Sequence, residues 1–203
     1  AAAAGLGAWG RNCCLLHPDH GSWFFLGQAV TDLDLTPDAP RLDMCGSCTA
    51  CIEACPTDAL RAPYVLDATR CISYLTIELK GGIPEDKREG VGRHVFGCDI
   101  CQDVCPWNRK RKRRGGPVFE PRPGAVAPDL ADLASLDDEA FRDRFRNSPV
   151  KRAKRRGLLR NVAVALGNSG DASKRPVLER LAADDDPVVR EHAHWALERL
   201  RRS

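Results

Sequence analysis

The residues best equipped for chemistry are ten cysteines, eight of which fall between Cys45 and Cys105. In CGSCTACIEACP, Cys45, Cys48, Cys51 and Cys55 follow the CxxCxxCxxxCP spacing of bacterial [4Fe-4S] proteins. Two-residue gaps let the backbone wrap one corner of a cubane with three thiolates, while the cysteine before proline leaves in another direction to serve a second cluster. The stretch CDICQDVCPW repeats that ending with Cys98, Cys101 and Cys105 but lacks a first member. Four and three ligands are one short of two cubanes, and Cys71, in RCISYLTIE, is the one cysteine left nearby. The spacing therefore predicts cluster A on Cys45, Cys48, Cys51 and Cys105, and cluster B on Cys55, Cys71, Cys98 and Cys101. A pair of structural zinc ions, which also favour CxxC pairs, is the alternative; the two CxxxCP endings favour iron and sulfide. Cys13 and Cys14 read as free thiols that fill space.

Two cubanes in so small a module carry one electron at a time and need an acceptor. Twenty-six residues, ISYLTIELKGGIPEDKREGVGRHVFG, separate Cys71 from Cys98. An insertion between two ligands of one cluster must lie against that cluster, which places it to meet the acceptor.

The elements that position these ligands are predicted from pattern and composition. With 203 residues the chain has room for one domain or two small ones. Its 31 Lys+Arg against 28 Asp+Glu leave a formal charge of +3, so any case for nucleic acid rests on where the cations sit. Clustered cysteines exclude a disulfide scaffold, and no apolar run is long enough to cross a bilayer. The expectation is a cytoplasmic monomer without a membrane partner. The chain starts without Met, in what reads as the middle of a folded unit, so an N-terminal truncation is expected.

The predicted fold class is α+β. Residues 1–40, with apolar runs such as LGQAVTDLDL, read as the last strands of an α/β unit; 41–108 as a two-[4Fe-4S] ferredoxin-like module; 109–128 as a basic linker rich in Pro and Gly. From 129 to 203 the pattern is helical. LADLASLDDEAFRDRF has helical spacing, and RGLLRNVAVALGN makes an apolar helix that Gly167 and Asn168 can end. In ADDDPVVREHAHWALERL, Asp186 is placed to cap a helix that Pro187 opens, with Val189, Ala193, Ala196, Leu197 and Leu200 as its apolar stripe. Arg160 to Leu166 and Arg190 to Leu197 echo each other as a short HEAT-like pair, an ordinary helical hairpin being the plainer reading.

Cations gather in two blocks. RKRKRR at 109–114 is six in succession, a density that ordinarily marks a solvated loop unless an anion meets it. SPVKRAKRRGLLRN surrounds a helix start that Ser148 can cap, and at helical spacing Arg152, Arg155 and Arg156 share one face.

Taken in order, GLGAWGRN, GSWFFLG, CGSCTACIEACPTDAL, CISYLTIELKG and FGCDICQDVCPWN resemble the epoxyqueuosine reductase family, cobalamin-dependent iron-sulfur enzymes of tRNA queuosine biosynthesis. The resemblance covers nearly the whole chain. It implies that epoxyqueuosine at the tRNA wobble base is reduced to queuosine, with electrons from an external donor passing through both clusters to cobalamin. It makes residues 1–40 the C-terminal part of a cobalamin-binding domain and sets cluster B nearer the corrin. It places Asn12, Ser22 and Trp23 where the family contacts cobalamin, with Ser73, Thr76 and Asp99 as further candidates. It implies that the helical tail grips the anticodon stem-loop, through Ser148, Lys151, Arg152, Arg155 and Arg156. The family's proton-donating aspartate lies upstream of the GLG block, so the resemblance implies no catalytic residue within this chain. Rival readings are a reductive dehalogenase-like corrinoid iron-sulfur enzyme, and a non-catalytic ferredoxin-type electron-transfer module with a protein-binding HEAT tail.

Overall fold

Helical periodicity after residue 128 is realised in the computed structural model, which describes residues 1–109 and 120–202. In chain order the elements begin with strands β1 (Ala8–Trp9) and β2 (Leu15–Leu16), helix α1 (Ala50–Glu53) and strands β3 (Leu60–Ala62) and β4 (Val65–Leu66). A π-helical turn (Tyr74–Glu78) and α2 (Glu85–Val91) precede two single turns, α3 (Ile100–Asp103) and α4 (Pro106–Arg109). The remainder comprises α5 (Leu130–Ala134), α6 (Asp138–Arg144), α7 (Lys154–Asn168), α8 (Arg175–Ala182) and α9 (Pro187–Arg202). Secondary structure is thus mainly helical with few strands. The RKRKRR block lies outside the described residues except for Arg109.

The described chain divides into two units, Ala1–Ala68 with residues 99–109, and Thr69–Cys98 with residues 120–202. The cysteine-rich stretch expected as one module over 41–108 is therefore shared between them. Residues 69–98 belong with the helices because their backbone carbonyls are taken by α7, as described below.

In the first unit β1 pairs antiparallel with β2, Ala8 opposite Leu16 and Trp9 opposite Leu15, and β3 pairs antiparallel with β4. Ala8, Leu15, Leu16, Ala59 and Leu60 are buried there. The strands expected from LGQAVTDLDL do not form: residues 24–43 contain no strand, and Val30, Leu33 and Leu35 are exposed. A strand needs a neighbour for its backbone N–H and C=O groups, and none pairs with this segment among the described residues.

In the second unit α7 packs against α9, and α8 against α9. Helix α7 is buried over every residue from Gly157 to Gly167, so it is covered on all sides instead of showing one apolar stripe. Gly167 proves not to be a terminator but a point of close approach, because a Cβ there would stand 2.7 Å from the Ala196 Cβ. Asn168, the last residue of α7, donates through Nδ2 to the carbonyls of Arg88 and Gly92, both at 2.8 Å. Asp137 splits the expected helix over 130–145 into α5 and α6 by accepting the Ala140 N–H at 2.8 Å. Asp186 accepts the Val188 N–H at 2.9 Å, and Val189, Ala193, Ala196, Leu197 and Leu200 are buried, as the pattern predicts.

His192 makes this unit acid-sensitive. Its ring is fully buried, Nε2 accepts the Ile83 N–H at 2.9 Å and Nδ1 lies 2.7 Å from the Val188 carbonyl. Only the neutral tautomer with its proton on Nδ1 satisfies both partners. Burial is the main reason that the pKa is pushed down to about 4; Arg88 and Arg160 add to it, and Glu191 and the Val188 hydrogen bond oppose it. A base with a depressed folded-state pKa stabilises the fold fully above its unfolded value near 6.5 and loses that contribution as pH falls towards 4. Stability measured by denaturant titration should fall by about 3 kcal/mol across that window. In His192→Gln the loss over the same window should be distinctly shallower; an unchanged slope would remove His192 as its cause.

Candidate functional site

The first unit brings four thiols around one cavity. Cys45, Cys48, Cys51 and Cys105, the predicted ligands of cluster A, line a space of about 280 Å³ together with Arg11, Asn12, Leu16, Met44, Ala50, Pro106 and Trp107. The CxxCxxC run supplies three of them, Cys45 and Cys48 from the turn that leads into α1 and Cys51 from α1 itself, and the cysteine before Pro106 supplies the fourth from the turn between α3 and α4. Trp107 closes one side and donates from Nε1 to the Met44 carbonyl at 2.9 Å. Burial pushes the Cys51 thiol up to about 11 and raises that of Cys45, although the Arg11 backbone N–H, 3.4 Å from the Cys45 sulfur, pulls the latter back. Iron must displace these protons on binding. Among the described residues no three His, Cys, Asp or Glu side chains converge on the position of a single metal ion. Four thiols, apolar walls and an N–H at sulfur fit a [4Fe-4S] cluster.

Of the predicted cluster B ligands, Cys55 and Cys101 belong to the first unit, Cys71 and Cys98 to the second. Cys55 suits a metal ligand: burial works to raise its pKa, but hydrogen bonds from the backbone N–H groups of Leu60, Thr57 and Ala59 outweigh it and lower the value. The Ala59 N–H lies 3.3 Å from its sulfur. The neighbouring Cys101 thiol lowers the Cys14 pKa, and Cys14, together with burial, raises that of Cys101.

In the second unit a polar network fixes the backbone around Cys71 and Cys98. Ser73 Oγ donates to the Cys98 carbonyl at 3.2 Å and accepts the Cys98 N–H at 3.1 Å. Thr76 Oγ1 donates to the Ile72 carbonyl at 2.7 Å and accepts the Gly97 N–H at 3.0 Å. Asn161 of α7, wholly buried, donates through Nδ2 to the carbonyls of Thr76 (2.7 Å) and Val95 (2.8 Å). Arg160 spans the carbonyls of Leu75 (2.6 Å), Leu79 (2.9 Å) and Gly81 and the Asn161 Oδ1. One pair of residues on α7 thereby holds the π-helical turn that follows Cys71 and the segment that leads into Cys98. No local pattern announces this, because an apolar helix period says nothing about the partners of two polar residues inside it.

Two of the predicted cobalamin contacts are turned inward. Asn12, 6 % exposed, uses Nδ2 on the Cys101 carbonyl at 3.2 Å and Oδ1 on the Cys14 N–H at 3.1 Å. Thr76 has no accessible surface, and its hydroxyl is occupied as above. Both side chains are engaged with backbone groups. Ser22 and Trp23 are half-buried, and Ser22 Oγ donates to Gln102 Oε1 at 2.8 Å and accepts from Asn108 Nδ2 at 2.9 Å. Gly21, at φ +62, makes room for this, since a Cβ there would stand 2.0 Å from Asn108 Oδ1. Ser73 is half-buried and Asp99 exposed, with Asp99 Oδ1 accepting from Gln102 Nε2 at 2.9 Å.

The basic edge differs from a single helix face. Ser148 caps a 3-10 turn over Pro149–Ala153 by accepting the Val150 N–H at 3.3 Å, and Lys154, at φ +60, breaks the chain before α7 continues. Arg152 therefore sits on a different element from Arg155 and Arg156. Arg152 pairs with Glu78, Arg155 holds both oxygens of Asp184 (2.6 and 3.3 Å) and the Leu136 carbonyl (2.8 Å), and Arg156 pairs with Asp186. Lys151 is exposed. Pairing thus commits Arg155 to the fold, which its sequence position did not reveal because Asp184 lies 29 residues away.

Known proteins supply a context for this geometry. The family described as a 4Fe-4S double cluster binding domain matches residues 44–108. An epoxyqueuosine reductase of Xanthomonas campestris pv. campestris is 47% identical over 195 residues, covering 96% of this chain and 55% of the relative. That of Escherichia coli K12 is 43% identical over 195 residues, covering 96% and 51%. A crystal structure of epoxyqueuosine reductase with an epoxyqueuosine-modified tRNA-Tyr stem loop superposes with a TM-score of 0.92 at 38% identity, over 98% of this chain and 53% of the other. The structure of the Streptococcus thermophilus epoxyqueuosine reductase gives 0.89 at 30% identity, over 100% and 54%. The chain spans about half the length of the curated relatives it matches.

Proposed function

Because the chain belongs to the epoxyqueuosine reductase family, we propose that the full-length protein reduces epoxyqueuosine to queuosine at the tRNA wobble position, with electrons supplied by two [4Fe-4S] clusters and cobalamin. The observation that carries this reading is the cavity lined by Cys45, Cys48, Cys51 and Cys105 within a double-cluster sequence. Cluster B falls to Cys55, Cys71, Cys98 and Cys101. Cobalamin, when bound, supplies a strongly reducing cobalt centre. Residues 1–40 belong to its domain, and Asn12, Ser22, Trp23, Ser73, Thr76 and Asp99 are the candidates to touch it. The helices after residue 128 form a HEAT-like tail that holds the tRNA anticodon stem-loop. The test is turnover of epoxyqueuosine-modified tRNA by the full-length protein after anaerobic loading with iron, sulfide and cobalamin; loaded protein that yields no queuosine would refute it.

For the tRNA contact we propose Ser148, Lys151, Arg152, Arg155 and Arg156, and the exposure of Lys151 and Arg152 on the 3-10 turn capped by Ser148 favours these two for phosphate, with Arg156 joining them by leaving Asp186. A phosphate displacing Glu78 from Arg152 exchanges one exposed ion pair for another, which costs little. In the full-length protein, Lys151→Glu with Arg152→Glu should weaken stem-loop binding at least tenfold and flatten the slope of log affinity against log salt by roughly one to two. Binding measured across a salt series that keeps its slope would move the RNA elsewhere. Arg155→Glu should instead lower stability, because it places a carboxylate against Asp184.

A further inference from the structure

Arg11 has a buried donor that the described residues leave unused. Its backbone N–H serves the Cys45 sulfur, and one terminal nitrogen of its guanidinium donates to the Gly46 carbonyl. Its Nε is buried and has no hydrogen-bond partner among the described residues, while the side chain lines the cavity shared by Cys45, Cys48, Cys51 and Cys105. An unmet buried N–H costs about 1–3 kcal/mol, so this donor calls for an acceptor. Sulfur atoms are the acceptors that this thiol-lined cavity would hold once loaded.

We propose that Arg11 donates through Nε to a sulfur of cluster A and thereby raises that cluster's reduction potential. The inference rests on the assignment of cluster A to these four cysteines. The physical reason is charge. A cubane with four thiolate ligands is an anion, and taking up one electron adds a further negative charge. Hydrogen bonds to the sulfurs and nearby positive charge stabilise the reduced state more than the oxidised one. A guanidinium keeps its proton at every working pH, so its contribution is constant. The Gly46 contact fixes the fork, which a lysine ammonium cannot copy.

The test is a dithionite titration, followed by electron paramagnetic resonance, of the full-length protein loaded anaerobically with iron and sulfide. Cluster A is identified as the one-electron step missing from Cys51→Ser. In Arg11→Met with its full iron complement, that step should shift to lower potential by the equivalent of at least tenfold in the reduction equilibrium, about 59 mV for one electron. The cluster B step should stay in place. Arg11→Lys should recover only part of the shift. Both steps at wild-type potentials in an iron-replete Arg11→Met would overturn the proposal. Should Arg11→Met lose iron, Arg11→Gln decides in its place: it removes the charge and must shift the same step down, and an unshifted step again overturns the proposal. A wild-type protein holding zinc in place of iron would defeat the cluster assignment itself, a failure that the iron count separates from this one.

Discussion

Cys51→Ser in the full-length protein should abolish queuosine formation and lower bound iron from about eight to about four atoms per chain. The thiol is the third of the CxxCxxC run, is 9 % exposed and lines the cavity with Cys45, Cys48 and Cys105. A serine hydroxyl is a far poorer iron ligand than a thiolate, and apolar walls such as Leu16, Met44 and Trp107 offer nothing in exchange. Cys55→Ser should remove a different set of irons, because the double-cluster spacing sends that residue to cluster B. Iron analysis with Mössbauer spectroscopy separates the outcomes. Retention of the full iron complement by Cys51→Ser would place the cluster on other ligands.

Arg160→Met should destabilise the second unit by about 3–5 kcal/mol, the largest effect expected from any single substitution away from the cysteines. Arg160 is 1 % exposed, and burial lowers its pKa to about 10, which still leaves it charged at neutral pH. It survives there by donating to the carbonyls of Leu75, Leu79 and Gly81 and to Asn161 Oδ1. Methionine fills much of the volume but strands those carbonyls in a dry interior. Arg160→Lys keeps the charge yet cannot span acceptors spread over seven residues of chain, so about half the loss should remain. The π-helical turn held by Arg160 follows directly on Cys71, so cluster B should release iron to a chelator about tenfold faster in Arg160→Met. Denaturant unfolding of the full-length protein gives the first quantity, and a loss below about 1 kcal/mol would show that the carbonyls find other donors.

What could be read from the sequence was what is local. Ligand spacing is set by a few consecutive residues, so the run from Cys45 to Cys55 and the ending at Cys105 announced themselves. Cys45, Cys48, Cys51 and Cys105 line one cavity, the set that the crossing of the last ligands leads one to expect. The helices at 187–202 and 154–168 were legible for the same reason: Asp186, Pro187 and the apolar stripe of α9 are neighbours in sequence. The missed features are long-range. Asn161 reaches Thr76 across 85 residues and Arg155 reaches Asp184 across 29, and neither pairing leaves a mark in composition or period. Lys154 interrupts the basic segment through a backbone dihedral that residue type did not signal, which separated Arg152 from Arg155. Over 24–43 the apolar pattern promised strands, but a strand is a property of two segments and the pattern describes one.

We propose that Cys45, Cys48, Cys51, Cys105, Cys55, Cys71, Cys98 and Cys101 hold two [4Fe-4S] clusters. The most direct measurement is the metal content and Mössbauer spectrum of the full-length protein purified without oxygen from cells fed iron-57. About eight iron atoms per chain, all in tetranuclear clusters and halved by Cys51→Ser, is the predicted result. Stoichiometric zinc, or iron in mononuclear sites, would contradict it.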